Sequence, residues 1–367
     1  MTKSKYFPRK IYIEKASLGF PMTKRILKNA SHVPVEIVED VENLIDNIKI
    51  SRDFIGEGKK CLLITQNRGK FVKPCPCTPH YIGCNYFIIN LELQCPIDCT
   101  YCILQHYLEN PMITVYVNTE DLWKQLDDFL YKNKNRTLRI GTGELGDSMA
   151  LDHITKHSKD LISFFRKRKN AIFELKTKTV NIENILEIEP AKNIVVAWSL
   201  NSYKVAQNEE KGAPPVRERI EAARLLSNRG FRVGFHFDPI IRYQGWVDGY
   251  DEVVDELLEK VKPSAIAWIS LGSLRFPPGL KTIIKKRFPN TKIIYEEFIL
   301  GKDGKLRYFK PLRLQLYKEI IDAIRRKRGE KIPIYFCMES REIWRKTLRK
   351  TPKGKEEVEK YISLLRV

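Results

Sequence analysis

From Phe87 onward the chain alternates continuous apolar runs with amphipathic stretches, and this alternation constrains the fold more than any other feature. The apolar runs are Phe87–Leu93, Thr137–Gly143, Ile172–Thr179, Ile194–Asn201, Val233–Ile241 and Ala265–Leu271. Runs that are apolar throughout suit parallel strands buried on both faces. Thr119–Lys132, His153–Arg168, Ile182–Ile188, Val216–Asn228 and Val247–Val261 lie between them, and Leu280–Arg287 follows the last. These read as helices. The plainest is the fifth: Tyr250, Val253, Val254, Leu257, Leu258 and Val261 share one face, with Asp251, Glu252, Asp255, Glu256 and Glu259 opposite.

Six βα units predict an α/β fold built on a partial parallel (β/α)6 TIM-like barrel rather than a closed eightfold one. The barrel is expected at residues 86–290, with an extension on either side. Residues 1–85 read as an α+β extension, with extended segments Lys10–Lys15, Val33–Asp40 and Cys61–Thr65 and helices Thr23–Asn29 and Val41–Asn47. Residues 291–367 read as a basic α/β extension. It comprises an extended Lys292–Phe298, a helix Leu312–Arg328, a strand Ile332–Met338 and helices Arg341–Leu348 and Glu356–Leu365.

The first apolar run leads into Cys95-Pro-Ile-Asp-Cys99-Thr-Tyr-Cys102. Soft thiolates this close together suit an iron–sulfur cluster or zinc. A closed structural site takes four protein ligands, so three leave one metal position open for a small molecule. A second group, Cys75-Pro-Cys77-Thr-Pro-His80-Tyr-Ile-Gly-Cys84, precedes it. It offers a tetrahedral zinc site, an auxiliary iron–sulfur centre, a reactive thiol, or only a proline-rich loop.

Eight cysteines without an apolar leader read as metal or redox chemistry rather than a disulfide framework, which predicts a cytoplasmic protein. No apolar run approaches the ~18 residues of a membrane span. The formal charge is +20, with 65 Lys+Arg against 45 Asp+Glu. That excess favours an anionic partner, nucleic acid first. The runs Arg325–Arg328 and Arg345–Lys350 are candidate contacts, although an abundantly charged surface also fits a thermophile.

The spacing C-x3-C-x2-C, with Tyr101 before the last cysteine, resembles the signature of the radical S-adenosyl-L-methionine (SAM) enzymes. The resemblance implies that Cys95, Cys99 and Cys102 hold a [4Fe–4S] cluster whose fourth iron binds SAM, and that an electron from the cluster cleaves SAM to a 5′-deoxyadenosyl radical. It also implies that Tyr101 contacts the adenine. A parallel barrel gathers functional residues at the carboxyl ends of its strands. There stand Gly143 and Glu144 at the end of the second run, Lys176 and Lys178 at the third, Ser199 and Asn201 at the fourth, and His236 and Asp238 at the fifth. The hydroxyl of Ser199 and the amide of Asn201 suit the ribose or carboxylate of SAM, and Gly143 and Glu144 resemble the superfamily's Gly-Gly-Glu motif.

The succession Val-Tyr-Val-Asn118, Leu-Asp-His-Ile-Thr155, Thr-Lys-Thr179, Trp-Ser-Leu-Asn201, Arg-Ile-Glu-Ala-Ala223, Asp-Pro-Ile240 and Gly-Trp-Val-Asp-Gly-Tyr250 is similar, more narrowly, to the spore photoproduct lyase family. Those enzymes reverse a thymine–thymine adduct by abstracting one hydrogen from it. By this resemblance Lys178, Ser199 and Arg219 match positions near SAM or the lesion. The implied activity is carbon–carbon lyase-like, on DNA rather than RNA, with a flavodoxin or ferredoxin as electron donor and no membrane involvement. This chain departs from the family at two points. Ile103 stands where the family has tyrosine after the last cluster cysteine. Glu144 stands where it has a cysteine that returns hydrogen to the product radical. Cys337 is the candidate replacement donor. The departures leave open a radical SAM enzyme that modifies RNA, protein or a small molecule. A zinc-stabilised nucleic-acid-binding protein without SAM chemistry is the remaining alternative.

Overall fold

The computed structural model describes residues 5–78, 80–327 and 329–363. Arg328 of the basic run and the end of the helix expected to reach Leu365 lie outside them. The strands are β1 Lys10–Glu14, β2 Val35–Val38, β3 Cys61–Thr65, β4 Val72–Pro74, β5 Tyr86–Ile89, β6 Glu92–Leu93, β7 Asp98–Cys99, β8 Ile113–Tyr116, β9 Leu138–Thr142, β10 Ala171–Thr177, β11 Ile194–Ser199, β12 Glu210–Lys211, β13 Arg232–Ile240, β14 Ile266–Ser273, β15 Arg275–Phe276, β16 Phe298–Leu300, β17 Leu306–Tyr308 and β18 Ile334–Phe336.

The main sheet has the order β18-β14-β13-β11-β10-β9-β5-β4, parallel except for β4. Every residue of β9, β11 and β14 is buried, as continuous apolar runs require when helices cover one face and the opposite face turns inward. The sheet curls. Arg139 on β9 donates through Nη2 to the Tyr335 hydroxyl on β18 at 3.2 Å, although four strands separate them in the sheet order. Its guanidinium also lies 4.4 Å from the Trp268 ring centroid on β14. This is the expected partial barrel, extended by a seventh parallel strand, β18, from the C-terminal segment. Helix Trp246–Lys260 buries Tyr250, Val253, Val254 and Leu257, the face that periodicity selected.

Three expectations need correction. Phe87–Leu93 is not one strand. The chain leaves the main sheet at Ile89, and β6 pairs antiparallel with β8 in a second sheet of order β2-β1-β3-β8-β6. The cysteine loop therefore starts at the seam between the sheets. His153–Arg168 breaks at Lys156 (φ +56°) into helices Asp152–Thr155 and His157–Phe165, because the Asp152 carboxylate accepts from the Ser158 N–H at 2.8 Å and its hydroxyl at 2.6 Å. Lys292–Phe298 is mostly turn, with Tyr295 N–H bonded to the Lys292 carbonyl at 3.1 Å; the strand begins at Phe298 and pairs with β17. Among the described residues no helix is long and apolar enough to cross a membrane.

Candidate active site

The parallel register brings the ends of β9, β10, β11 and β13 to one mouth, with Thr142 level with Leu175, Thr177 with Trp198, and Ser199 with His236. The cysteine loop is clamped over this mouth from a distant part of the chain. β7 pairs antiparallel with β12, so Cys99 lies opposite Glu210. Thr100 donates to Glu209 twice, from its N–H to the carbonyl at 2.9 Å and from its hydroxyl to the carboxylate at 2.5 Å. The Tyr101 hydroxyl donates to the Glu210 carboxylate. Gln105 donates to the carbonyls of Cys99 and Thr100, both at 3.1 Å.

Burial pushes the Cys95 thiol well up and the Cys99 thiol up to about 12, while Lys178 and Lys59 pull Cys99 the other way. Among the described residues no three His, Cys, Asp or Glu side chains converge around a single metal ion. A cluster makes a different demand, since each thiolate then holds its own iron. Three soft donors on one clamped loop, with ammoniums beside them to offset the charge of the thiolates, fit a [4Fe–4S] group. The second cysteine group does not fit the tetrahedral zinc site. His80 is exposed in a left-handed turn (φ +70°), and Cys75 and Cys77 hydrogen-bond each other, which holds Cys77 down and Cys75 up.

The other candidate residues divide. Gly143 (φ +94°) lies where a Cβ would stand 2.6 Å from the Lys176 carbonyl and 2.8 Å from the Ser148 hydroxyl, so glycine is required there by close packing against β10. Lys178 donates its N–H to Asp147 at 2.7 Å, and its ammonium lies 5.8 Å from the Tyr101 ring centroid. Glu144 is ion-paired with Lys176. Ser199 is buried, and its carbonyl accepts from Arg219 at 3.0 Å. Arg219 is wholly buried, donates also to the Pro214 carbonyl at 2.9 Å and pairs with Glu210 at 2.6 Å; it braces the clamp from behind. Asn201 donates to the Pro239 carbonyl at 3.0 Å and accepts from Ser202 N–H at 3.1 Å and Tyr250 hydroxyl at 2.5 Å, so both ends of its amide are used by the fold. His236 bonds Glu174 at 2.7 Å, and Asp238 holds Arg275 at 3.0 and 3.2 Å.

Cys337, just past β18, accepts from Arg275 at 3.3 Å. Burial, then Asp238, pushes its thiol well up, so it stays protonated. Cys75, Cys77 and Cys84 gather near Cys337 and Glu144, each sensing the Glu144 carboxylate. Sequence reasoning missed Lys59, Glu209, Glu210 and Arg287. Each acts on the cysteine loop from far along the chain, and no local pattern marks it.

A family model described as "Spore photoproduct lyase" matches residues 6–336. The chain belongs to the spore photoproduct lyase family. Within the family it is 25% identical over 307 residues to the spore photoproduct lyase of Clostridium acetobutylicum, covering 82% of this chain and 89% of that protein. It is 26% identical over 300 residues to that of Bacillus subtilis, covering 80% and 85%. A solved spore photoproduct lyase variant with dinucleoside spore photoproduct superposes with a TM-score of 0.81 at 25% identity, over 91% of this chain and all of that one. Another, with bound AdoMet and dinucleoside spore photoproduct, gives a TM-score of 0.79 at 24% identity over the same shares, a likeness of fold. The family is a radical SAM family, and its cofactors are a [4Fe–4S] cluster and SAM.

Proposed function

We propose that this chain is a radical SAM lyase that breaks the carbon–carbon bond joining the two thymines of a spore photoproduct in DNA. Cluster and SAM together supply one-electron reductive cleavage and the 5′-deoxyadenosyl radical that takes a hydrogen from the lesion. Cys95, Cys99 and Cys102 hold the cluster. Glu209 and Glu210 fix the loop that carries them, and Tyr101, oriented by Glu210, covers it. Gly143, Lys178 and Ser199 stand on neighbouring strand ends at the mouth, where SAM would lie. The barrel wall and the covering loop exclude water from the radical. Cys337 returns hydrogen to the product: its S–H bond breaks as a thymine C–H bond forms, leaving a thiyl radical on sulfur. A reduced flavodoxin- or ferredoxin-type protein delivers the electron.

The observation that carries this reading is the three-thiol loop clamped over the mouth of a partial barrel in a chain of this family. The test is anaerobic reconstitution with iron and sulfide, then incubation with SAM and dithionite. Iron-dependent 5′-deoxyadenosine, raised by dinucleoside spore photoproduct, supports the reading. A zinc-loaded protein that takes up no iron and cleaves no SAM contradicts it. Ile103 and Glu144 favour a second reading, another substrate for the same chemistry. It expects SAM cleavage that the lesion does not stimulate.

A further inference from the structure

Lys59 is 5% exposed, and its ammonium is aimed into the cysteine loop. Nζ donates to the Ile97 carbonyl at 2.7 Å and lies 3.3 Å from the Asp98 carboxylate. Both residues stand between Cys95 and Cys99, and the Ile97 N–H in turn donates to the Cys95 sulfur at 3.3 Å. The approach is built into the backbone. A Cβ on Gly58 would stand 2.5 Å from the Pro111 backbone, so only glycine lets this turn come so close. The Tyr6 hydroxyl holds the Lys59 carbonyl at 2.7 Å.

Burying an ammonium is costly unless opposite charge meets it. Asp98 meets part of it, but Asp98 is also held by Arg287 through contacts of 3.1 and 3.0 Å. The ammonium therefore places a positive charge against the backbone segment that joins Cys95 to Cys99, one hydrogen bond removed from the Cys95 sulfur.

We propose that Lys59 is a positioning residue for the iron–sulfur cluster: it anchors the segment between Cys95 and Cys99 and raises the cluster's reduction potential by its charge. The proposal rests on the cluster reading above. Reduction adds one electron, and so one negative charge, beside Lys59. A fixed cation stabilises the reduced form more than the oxidised form. Removing the charge makes the cluster harder to reduce, whatever the neighbouring groups contribute.

The experiment is a potentiometric titration of the reconstituted full-length protein, with the reduced cluster followed by electron paramagnetic resonance. In Lys59→Gln, the ratio of reduced to oxidised cluster at the wild-type midpoint falls about tenfold, a shift of about 59 mV to more negative potential. Lys59→Arg stays near the wild-type midpoint. Asp98→Asn, which removes a negative charge from the same loop, shifts the midpoint the opposite way. A Lys59→Gln protein with full iron content and the wild-type midpoint overturns the proposal. Should Lys59→Gln take up no iron, Asp98→Asn decides, and a midpoint that stays or falls overturns it. Wild-type protein that takes up no iron overturns the cluster reading itself, a result distinct from an unmoved midpoint.

Discussion

Glu210 receives both the Tyr101 hydroxyl and the Arg219 guanidinium, the latter at 2.6 Å, and is wholly enclosed. Burial works against its charge, but Arg219 and Lys178 outweigh burial and hold the carboxyl below its ordinary range. Glu210→Gln leaves Arg219 buried without its counter-ion, which costs ~3–5 kcal/mol. Iron content after reconstitution and the melting temperature should both fall, whereas Tyr101→Phe, which removes one hydrogen bond, should cost ~1–3 kcal/mol. Cys337 makes a different prediction. Cys337→Ala should keep 5′-deoxyadenosine formation while restored thymine falls by about tenfold or more, ~1.4 kcal/mol in effective barrier. Unchanged thymine yield in that variant, with loss in Cys77→Ala instead, would move hydrogen return to the second cysteine group.

Among the elements, the barrel interior carries its own charged network. Glu174 on β10 accepts from His236 on β13 at 2.7 Å and from Trp268 on β14 at 3.2 Å, with Arg139 at 3.6 Å. Burial alone would raise the Glu174 carboxyl; His236 and Arg139 hold it down at about 2, against an ordinary 4.5. A depressed carboxylate contributes stability that is complete above its unfolded value and is lost as pH falls through its folded value. The stability of the wild type should therefore fall between about pH 4.5 and about pH 2 more steeply than that of Glu174→Gln, measured by denaturation in parallel. His236 and Glu174 show what the sequence leaves unread. The apolar run around His236 marks a strand, and β9, β10, β11, β13 and β14 lie within a few residues of where their runs place them. The carboxylate that His236 meets is 62 positions away, so nothing local distinguishes a paired core histidine from a functional one. The break between Ile89 and Glu92 was hidden for the same reason. β6 is defined by its pairing with β8, not by its own composition. The cysteine loop was legible because all three thiols lie within eight residues. Its clamp, Glu209 and Glu210, was not, because more than a hundred residues separate the two.

For the whole molecule, the formal charge of +20 belongs with a polyanionic substrate. Binding to duplex DNA should weaken steeply with salt. If about six phosphates are contacted, affinity falls on the order of 10³-fold between ~50 and ~200 mM salt, whereas a dinucleoside lesion without flanking DNA shows a far shallower dependence. Fluorescence anisotropy on both ligands checks this. The C-terminal segment belongs to the same assembly, since β18 completes the parallel run beside β14 and delivers Cys337 to the mouth. The central claim, that this barrel repairs a DNA lesion by radical chemistry, is tested most directly by one measurement. Anaerobically reconstituted protein is incubated with SAM, dithionite and dinucleoside spore photoproduct, and the thymidine released is quantified. The account predicts thymidine formed in step with lesion consumed, and none without SAM or after Cys99→Ala. An iron-loaded protein that cleaves SAM yet leaves the photoproduct intact would contradict it.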